Sequence, residues 1–163
     1  MLQKALMACI LIIGMVACKE NNTSNNKQPT GTLVKHTECK SSILDTVPKN
    51  FDCLEYSYDS IQKTLYIKHI NAAFNCCPGD ITAEITFDKD IITINEKEKT
   101  PGCRCNCLYD IEYQLSGIEQ TLYILSIVEP YTPTTDEKLL VNLNLKEKLS
   151  GRICVQRNSY PWM

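Results

Sequence analysis

The residues here best able to do chemistry are cysteines, ten of them in a chain of 163 residues. Cys103, Cys105 and Cys107 alternate with Arg104 and Asn106 directly after Pro101-Gly102, a turn signal. In an extended run the three thiols point to one side, with Cα atoms about 6.8 Å apart. That is the far edge of disulfide reach, so members of the triplet are expected to pair elsewhere. Cys76 and Cys77 face opposite sides of a strand, pair poorly with each other, and lead into the Pro78-Gly79 turn. Two chemistries suit this pattern. Oxidised, the Cys76-Cys77 pair joins the 103–107 loop and staples two ends of a β-fold. Reduced, Cys77, Cys103, Cys105 and Cys107 supply a soft four-sulfur site for zinc or copper, with Arg104 lowering the nearby thiol pKa values. Zinc ribbons space their ligands as Cys-x-x-Cys, a spacing this chain lacks.

With Cys9 and Cys18 assigned to an N-terminal leader and its end, eight cysteines remain: Cys39, Cys53, Cys76, Cys77, Cys103, Cys105, Cys107 and Cys154. An even set in an exported chain points to disulfides, each stabilising by about 2–4 kcal/mol. Eight cysteines allow about 105 pairings, so connectivity stays open. Cys39 to Cys53, its nearest free partner in sequence, is the expected local bridge. Disulfides are preferred to metal because an exported chain meets oxidants before much free metal, so no cofactor is expected.

Residues 1–17 read as that leader. Lys4 supplies a positive start, and an apolar run from Ala5 to Ala17 is interrupted only by Gly14. A helix of that length spans roughly 20 Å, too short for a hydrocarbon core of about 30 Å, so it reads as a cleaved segment and not a permanent span. Met15-Val16-Ala17-Cys18 resembles the lipobox of bacterial lipoproteins. The resemblance implies cleavage before Cys18, acylation of Cys18 (palmitate being one such chain), and anchorage in the outer membrane or at the cell surface of a Gram-negative bacterium. Several acyl chains, at about 0.8 kcal/mol per buried methylene, make such an anchor effectively permanent. Glu20, just after the acylated cysteine, resembles a surface-export signal. Asn75-Cys76-Cys77-Pro78 with the run from Cys103 to Asp110 looks like small cysteine-rich envelope lipoproteins, a resemblance that implies no activity. Asp45-Thr46-Val47 and Asp59-Ser60-Ile61 resemble short O-glycosylation sites of exported Gram-negative proteins.

From Lys19 to Gly31 no residue is suited to a core, so residues 18–35 read as the acylated cysteine and a tether. Such a tether holds a domain at 36–163 roughly 20–25 Å from the bilayer. Within that domain Leu65, Ile67 and His69 alternate with Tyr66, Lys68 and Ile70; Ile81 to Phe87, Ile91 to Glu96, Tyr109 to Leu115 and Leu139 to Leu145 alternate likewise. Residues 122–128 are apolar on both faces, as in a central strand. With 53–58 and 152–156 this makes about eight strands: a single all-β, immunoglobulin-like β-sandwich, or alternatively a small β-barrel.

Seventeen basic against 19 acidic residues leave no basic footprint, so nucleic acid is not an expected partner. At 44% hydrophobic the chain can bury a core. No Gly-x-Ser-x-Gly elbow, phosphate loop or His-Glu-x-x-His helix is present. Of the two histidines, His36 adjoins the tether and His69 reads as a satisfied core residue. Tyr160-Pro161-Trp162 reads as a C-terminal clamp laid over the sandwich. The expectation is therefore a membrane-anchored, non-enzymatic binding or interaction module with a protein or glycan partner. The alternative is metal sequestration by the cysteine cluster.

Overall fold

The computed structural model describes residues 28–40 and 47–163. The leader, Cys18 and most of Asp45-Thr46-Val47 lie outside the described residues. Among the described residues nine strands follow in chain order: β1 Thr30–His36, β2 Phe51–Asp59, β3 Thr64–Asn75, β4 Ile81–Asp88, β5 Ile91–Glu98, β6 Asn106–Ser116, β7 Leu122–Val128, β8 Leu140–Asn144 and β9 Ser150–Gln156. They form a five-stranded sheet in the order β1-β6-β3-β2-β9 and a four-stranded sheet in the order β4-β5-β7-β8. Neither sheet closes on itself, so the all-β sandwich holds and the barrel alternative does not. Every pairing is antiparallel except β5–β7. Among the described residues there is no helix long and apolar enough to cross a membrane.

The alternation read from sequence is what builds the core. Leu54, Tyr56 and Tyr58 of β2, Leu65 and Ile67 of β3, Ile92 and Ile94 of β5, Ile111, Tyr113 and Leu115 of β6, and Leu125 and Ile127 of β7 meet between the sheets in one cluster. The register of β3 against β6 shifts between Ile70 and Ala72, where Asn71 takes a left-handed φ of 67°. Asparagine tolerates that conformation. One inserted residue reverses the phase of the strand. Before the bulge Leu65 and Ile67 face the core; after it Ala72 and Phe74 do, while Ala73 joins Leu108 and Trp162 in a separate cluster.

The ninth strand is the one that sequence reading misses. Residues 30–35, expected to be tether, lie in the strand Thr30–His36, which pairs antiparallel with β6 and so belongs to the folded domain. Polarity hid it: this is an edge strand whose residues are exposed except for half-buried Leu33. Gly31 permits its close seat, because a Cβ there would lie 2.6 Å from Leu115 Cδ2 and 2.8 Å from Ile85 Cγ2.

Four disulfides join the eight cysteines. Cys76–Cys105 and Cys77–Cys103 (Cα–Cα 5.6 and 5.4 Å) tie the end of β3 to the β5–β6 loop, as the turn signals imply. The expected Cys39–Cys53 bridge does not form. Cys39 pairs with Cys107 and Cys53 with Cys154. The reason is register: Cys53 and Cys154 are direct cross-strand partners of β2 and β9, 4.0 Å apart at Cα. Backbone bonds from Thr37 N–H to Asp110 O and from Lys40 N–H to Leu108 O (2.9 Å each) meanwhile lay the segment holding Cys39 along β6. Sequence proximity decides nothing once strands fix which Cα atoms are neighbours. The Cys53–Cys154 bridge, with a sequence separation of 101, restricts the unfolded chain most.

The outer face of the five-stranded sheet is covered at one end only. Trp162 is fully buried over Ala73 and Leu108, its indole N–H donating to Asn71 O at 2.8 Å, so the C-terminal segment is a clamp. Beside it Val47 packs on Cys53 and Ile70. Asn71 ties these coverings together: its amide nitrogen donates to Pro48 O and Phe51 O, and its amide oxygen accepts from Lys40 Nζ.

Candidate functional site

The chemistry-bearing side chains gather not at the cysteines but at one end of the core. Cys77, Cys103, Cys105 and Cys107, the expected metal ligands of the alternative reading, are all oxidised and offer no thiolate. Instead His69 of β3 stands between carboxylates from both sheets. Its Nε2 lies 2.8 Å from Asp52 Oδ1 of β2, and its Nδ1 lies 2.7 Å from Glu96 Oε1 of β5. Tyr113 of β6 donates its hydroxyl to the same Glu96 oxygen at 2.6 Å. Glu129, the residue after β7, places Oε1 at 3.6 Å from His69 Nε2. Arg157, just beyond β9, closes the cluster: its Nε and Nη2 donate to Asp52 Oδ2 at 3.0 and 2.5 Å, and Nη2 reaches Glu129 Oε2 at 3.2 Å.

Each member continues an inward-facing series. Asp52 precedes Leu54 and Tyr56, His69 follows Leu65 and Ile67, Glu96 follows Ile92 and Ile94, Glu129 follows Leu125 and Ile127, and Arg157 follows Ile153 and Val155. The parallel β5–β7 register ends at Asn95 opposite Val128, which brings Glu96 and Glu129 out side by side. The loop after β7 then folds over the cluster. Thr132 Oγ1 donates to Glu129 Oε2 at 2.6 Å, Tyr131 donates to Glu98, and the Glu137 carbonyl accepts from Arg157 Nη1. The Arg157 guanidinium also lies 5.4 Å from the Trp162 ring centroid, joining loop, cluster and clamp.

Burial and charge together set the ionisation of these groups. Burial pulls the His69 imidazolium down, but the charges and hydrogen bonds of Glu96 and Asp52 outweigh it and hold its pKa well above the usual value. Burial raises Asp52, and His69 and Arg157 more than reverse that, so its pKa lies below the ordinary carboxylate value. Burial, reinforced by the charges of Asp52 and Glu96, pushes Glu129 up to about 8 despite His69. Tyr113 is raised by burial and by Glu96. A positive His69 and Arg157 facing two carboxylates, with a proton on Glu129, is an electroneutral interior.

The His69, Asp52 and Arg157 side chains are 0% exposed. His69 is a satisfied core histidine, as the sequence suggests, though satisfied by carboxylates and not by aliphatic neighbours. His36 lies exposed in β1 with Nδ1 2.8 Å from Thr37 O, far in role from any such cluster.

The accessible feature is elsewhere. On the uncovered half of the five-stranded sheet a shallow groove of about 650 Å³ runs across β1, β6, β3, β2 and β9, lined among others by Glu55, Ser57, Tyr66, Lys68, Gln114 and Arg152. Gly151 lies against Tyr56, where a Cβ would come within 2.9 Å of the ring, so the strand passes close to the core there. The groove's charges are matched locally. Arg152 Nε donates to Glu55 at 2.6 Å, Lys35 lies 3.3 Å from Glu112, and Lys68 lies 3.1 Å from Asp110. At the far tip of the β2–β3 hairpin, Asp59 Oδ1 accepts from the N–H groups of Ile61 and Gln62, presenting Ser60 and a 93% exposed Ile61 to solvent.

No family model, no curated protein and no solved structure matches this chain.

Proposed function

We propose that this protein is a lipid-anchored envelope protein whose domain is a non-enzymatic binding module, and that the uncovered groove on the five-stranded sheet is its ligand face. The supporting observation is a separation: the acid–base groups are sealed in the core, while the open groove carries paired charges, hydroxyls, an amide and the half-exposed ring of Tyr66. Locally matched charges leave little net field for a strongly charged ligand. An aromatic ring beside Ser57, Gln114 and Ser150 suits a neutral, hydroxyl-rich partner, with apolar faces for the ring and hydroxyls for the polar rim. A glycan at the envelope is that partner. Four disulfides accord with an oxidising compartment. With the strand starting at Thr30, a link over 18–29 sets the domain roughly 17–21 Å from the anchor.

Two outcomes follow. Replacing Cys18 by Ala is expected to move the protein from the detergent phase to the aqueous phase on phase partitioning; protein that stays in the detergent phase refutes the lipid anchor. On an array of neutral and charged oligosaccharides, the soluble Cys18→Ala protein is expected to retain a neutral glycan. Adding Tyr66→Ala should weaken retention at least tenfold with an unchanged melting temperature. Absence of retention, or retention indifferent to Tyr66→Ala and to Gln114→Ala, refutes the groove as the ligand face.

A further inference from the structure

We propose that the buried cluster is a divalent-cation site of the zinc type, with His69 Nε2, Asp52 Oδ1 and Glu129 Oε1 as its protein ligands. The three donors lie within 4.8 Å of one another. Two donors on a tetrahedral zinc, each at about 2.1 Å, are about 3.4 Å apart. The Nε2 separations of 2.8 Å to Asp52 and 3.6 Å to Glu129 bracket that spacing. An independent observation marks the position: Glu129 Oε1, like Glu96 Oε2 in the same cluster, is buried and accepts no hydrogen bond, and of the two it is Oε1 of Glu129 that faces His69 Nε2, at 3.6 Å. Buried acceptors left without a partner are uncommon and call for an explanation.

The surrounding groups are arranged as a metal's supporting shell. Ligating histidines generally give their other ring N–H to a carboxylate, and His69 Nδ1 faces Glu96 Oε1, itself held by the Tyr113 hydroxyl. Arg157 does not compete with the cation for the ligand oxygens. It binds Asp52 Oδ2 and Glu129 Oε2, the oxygens turned away, and so orients Oδ1 and Oε1. A divalent ion would displace two protons, that on His69 Nε2 and that on Glu129, so its two charges replace theirs beside three carboxylates and one guanidinium. One imidazole nitrogen and two carboxylate oxygens suit zinc better than a soft ion such as copper(I), which favours thiolates. The cation would join β2 and β3 of the five-stranded sheet to the residue that follows β7, and its sealed position requires that it enter as the chain folds. This inference is independent of the groove: either can fail alone.

The test is metal content after folding. The full chain, purified in detergent and refolded with its disulfides intact in the presence of zinc, is expected to hold about one zinc per chain after extensive dialysis. Cobalt in its place should give tetrahedral visible bands without thiolate charge-transfer absorption. Glu129→Gln keeps the shape and the Arg157 and Thr132 contacts and is expected to fold with a metal-free melting temperature no lower than the wild type's, yet to retain less than a tenth of the metal. Tyr113→Phe, which touches no ligand, should weaken retention by about 10–100-fold. Retention of no metal by the refolded wild type, equal retention by Glu129→Gln, or cobalt spectra with thiolate bands would each overturn the assignment.

Discussion

Asp52→Ala is expected to lower the free energy of unfolding by about 3–5 kcal/mol, a large share of the stability of a domain this size. The carboxylate accepts from His69 with one oxygen and from Arg157 with the other, and all three side chains are wholly buried. Truncation leaves the buried His69 and Arg157 cations without the carboxylate that bridges them, with Glu96 and Glu129 as their remaining partners. Breaking a buried pair costs far more than the pair's net contribution, because the surviving charge remains desolvated. Urea unfolding followed by far-ultraviolet circular dichroism gives the number. Glu84→Ala, which removes the exposed partner of Lys97, serves as the contrast and should leave the midpoint near wild type. A change for Asp52→Ala no larger than for Glu84→Ala would show that the cluster is not what holds the loop and clamp to the sandwich.

The second large effect is a dependence of stability on pH, read with a chelator present. Glu129 has its pKa raised from 4.5 to about 8 in the folded chain. Between those values the native state holds a proton that the unfolded state has released, so stability falls as pH rises. The slope for one group approaches about 1.4 kcal/mol per pH unit. His69 acts in the same sense from higher pH: with its folded pKa raised above 6.5, its stabilisation is whole below that value and is lost as pH rises through the folded pKa. Asp52 acts oppositely and lower down. Its pKa is depressed, so its contribution is present above 3.8 and is lost as pH falls through the folded value. The interval from about pH 4.5 to 6.5 therefore belongs to Glu129 among these groups. Unfolding free energies across that interval should decline in the wild type and run flat in Glu129→Gln. A variant that declines as steeply as the wild type would show that Glu129 does not carry the native-state proton.

The architecture was legible because half-buried strands announce themselves by period. Leu65-Ile67-His69 and Ile81-Ala83-Ile85-Phe87 read correctly as strands, and the pattern as a whole read as a sandwich. Thr30–His36 did not, since an edge strand buries almost nothing and its pairing energy comes from backbone bonds that leave no mark on side-chain type. The cysteine pairing was half legible. Turn signals place Cys76-Cys77 against the 103–107 loop, whereas Cys53–Cys154 depends on a β2–β9 register spanning most of the domain. The site was legible only in retrospect. Asp52, Glu96, Glu129 and Arg157 each occupy the next inward position of an apolar series, and a charged residue in that phase is the usable signal. His69 drew notice as the lone histidine of a strand. Its partners come from three other segments, and only the packing of the two sheets brings them together.

The division between a sealed polar cluster and an open sheet face is tested most directly by mapping amide chemical shifts of the soluble Cys18→Ala protein during titration with a glycan retained on the array. The expected changes concentrate at Ser57, Tyr66, Lys68 and Gln114 and leave His69 and Glu129 unmoved. Changes centred on His69, Glu129 and the loop after β7, with the outer face of the five-stranded sheet silent, would contradict it and place ligand binding at the buried cluster.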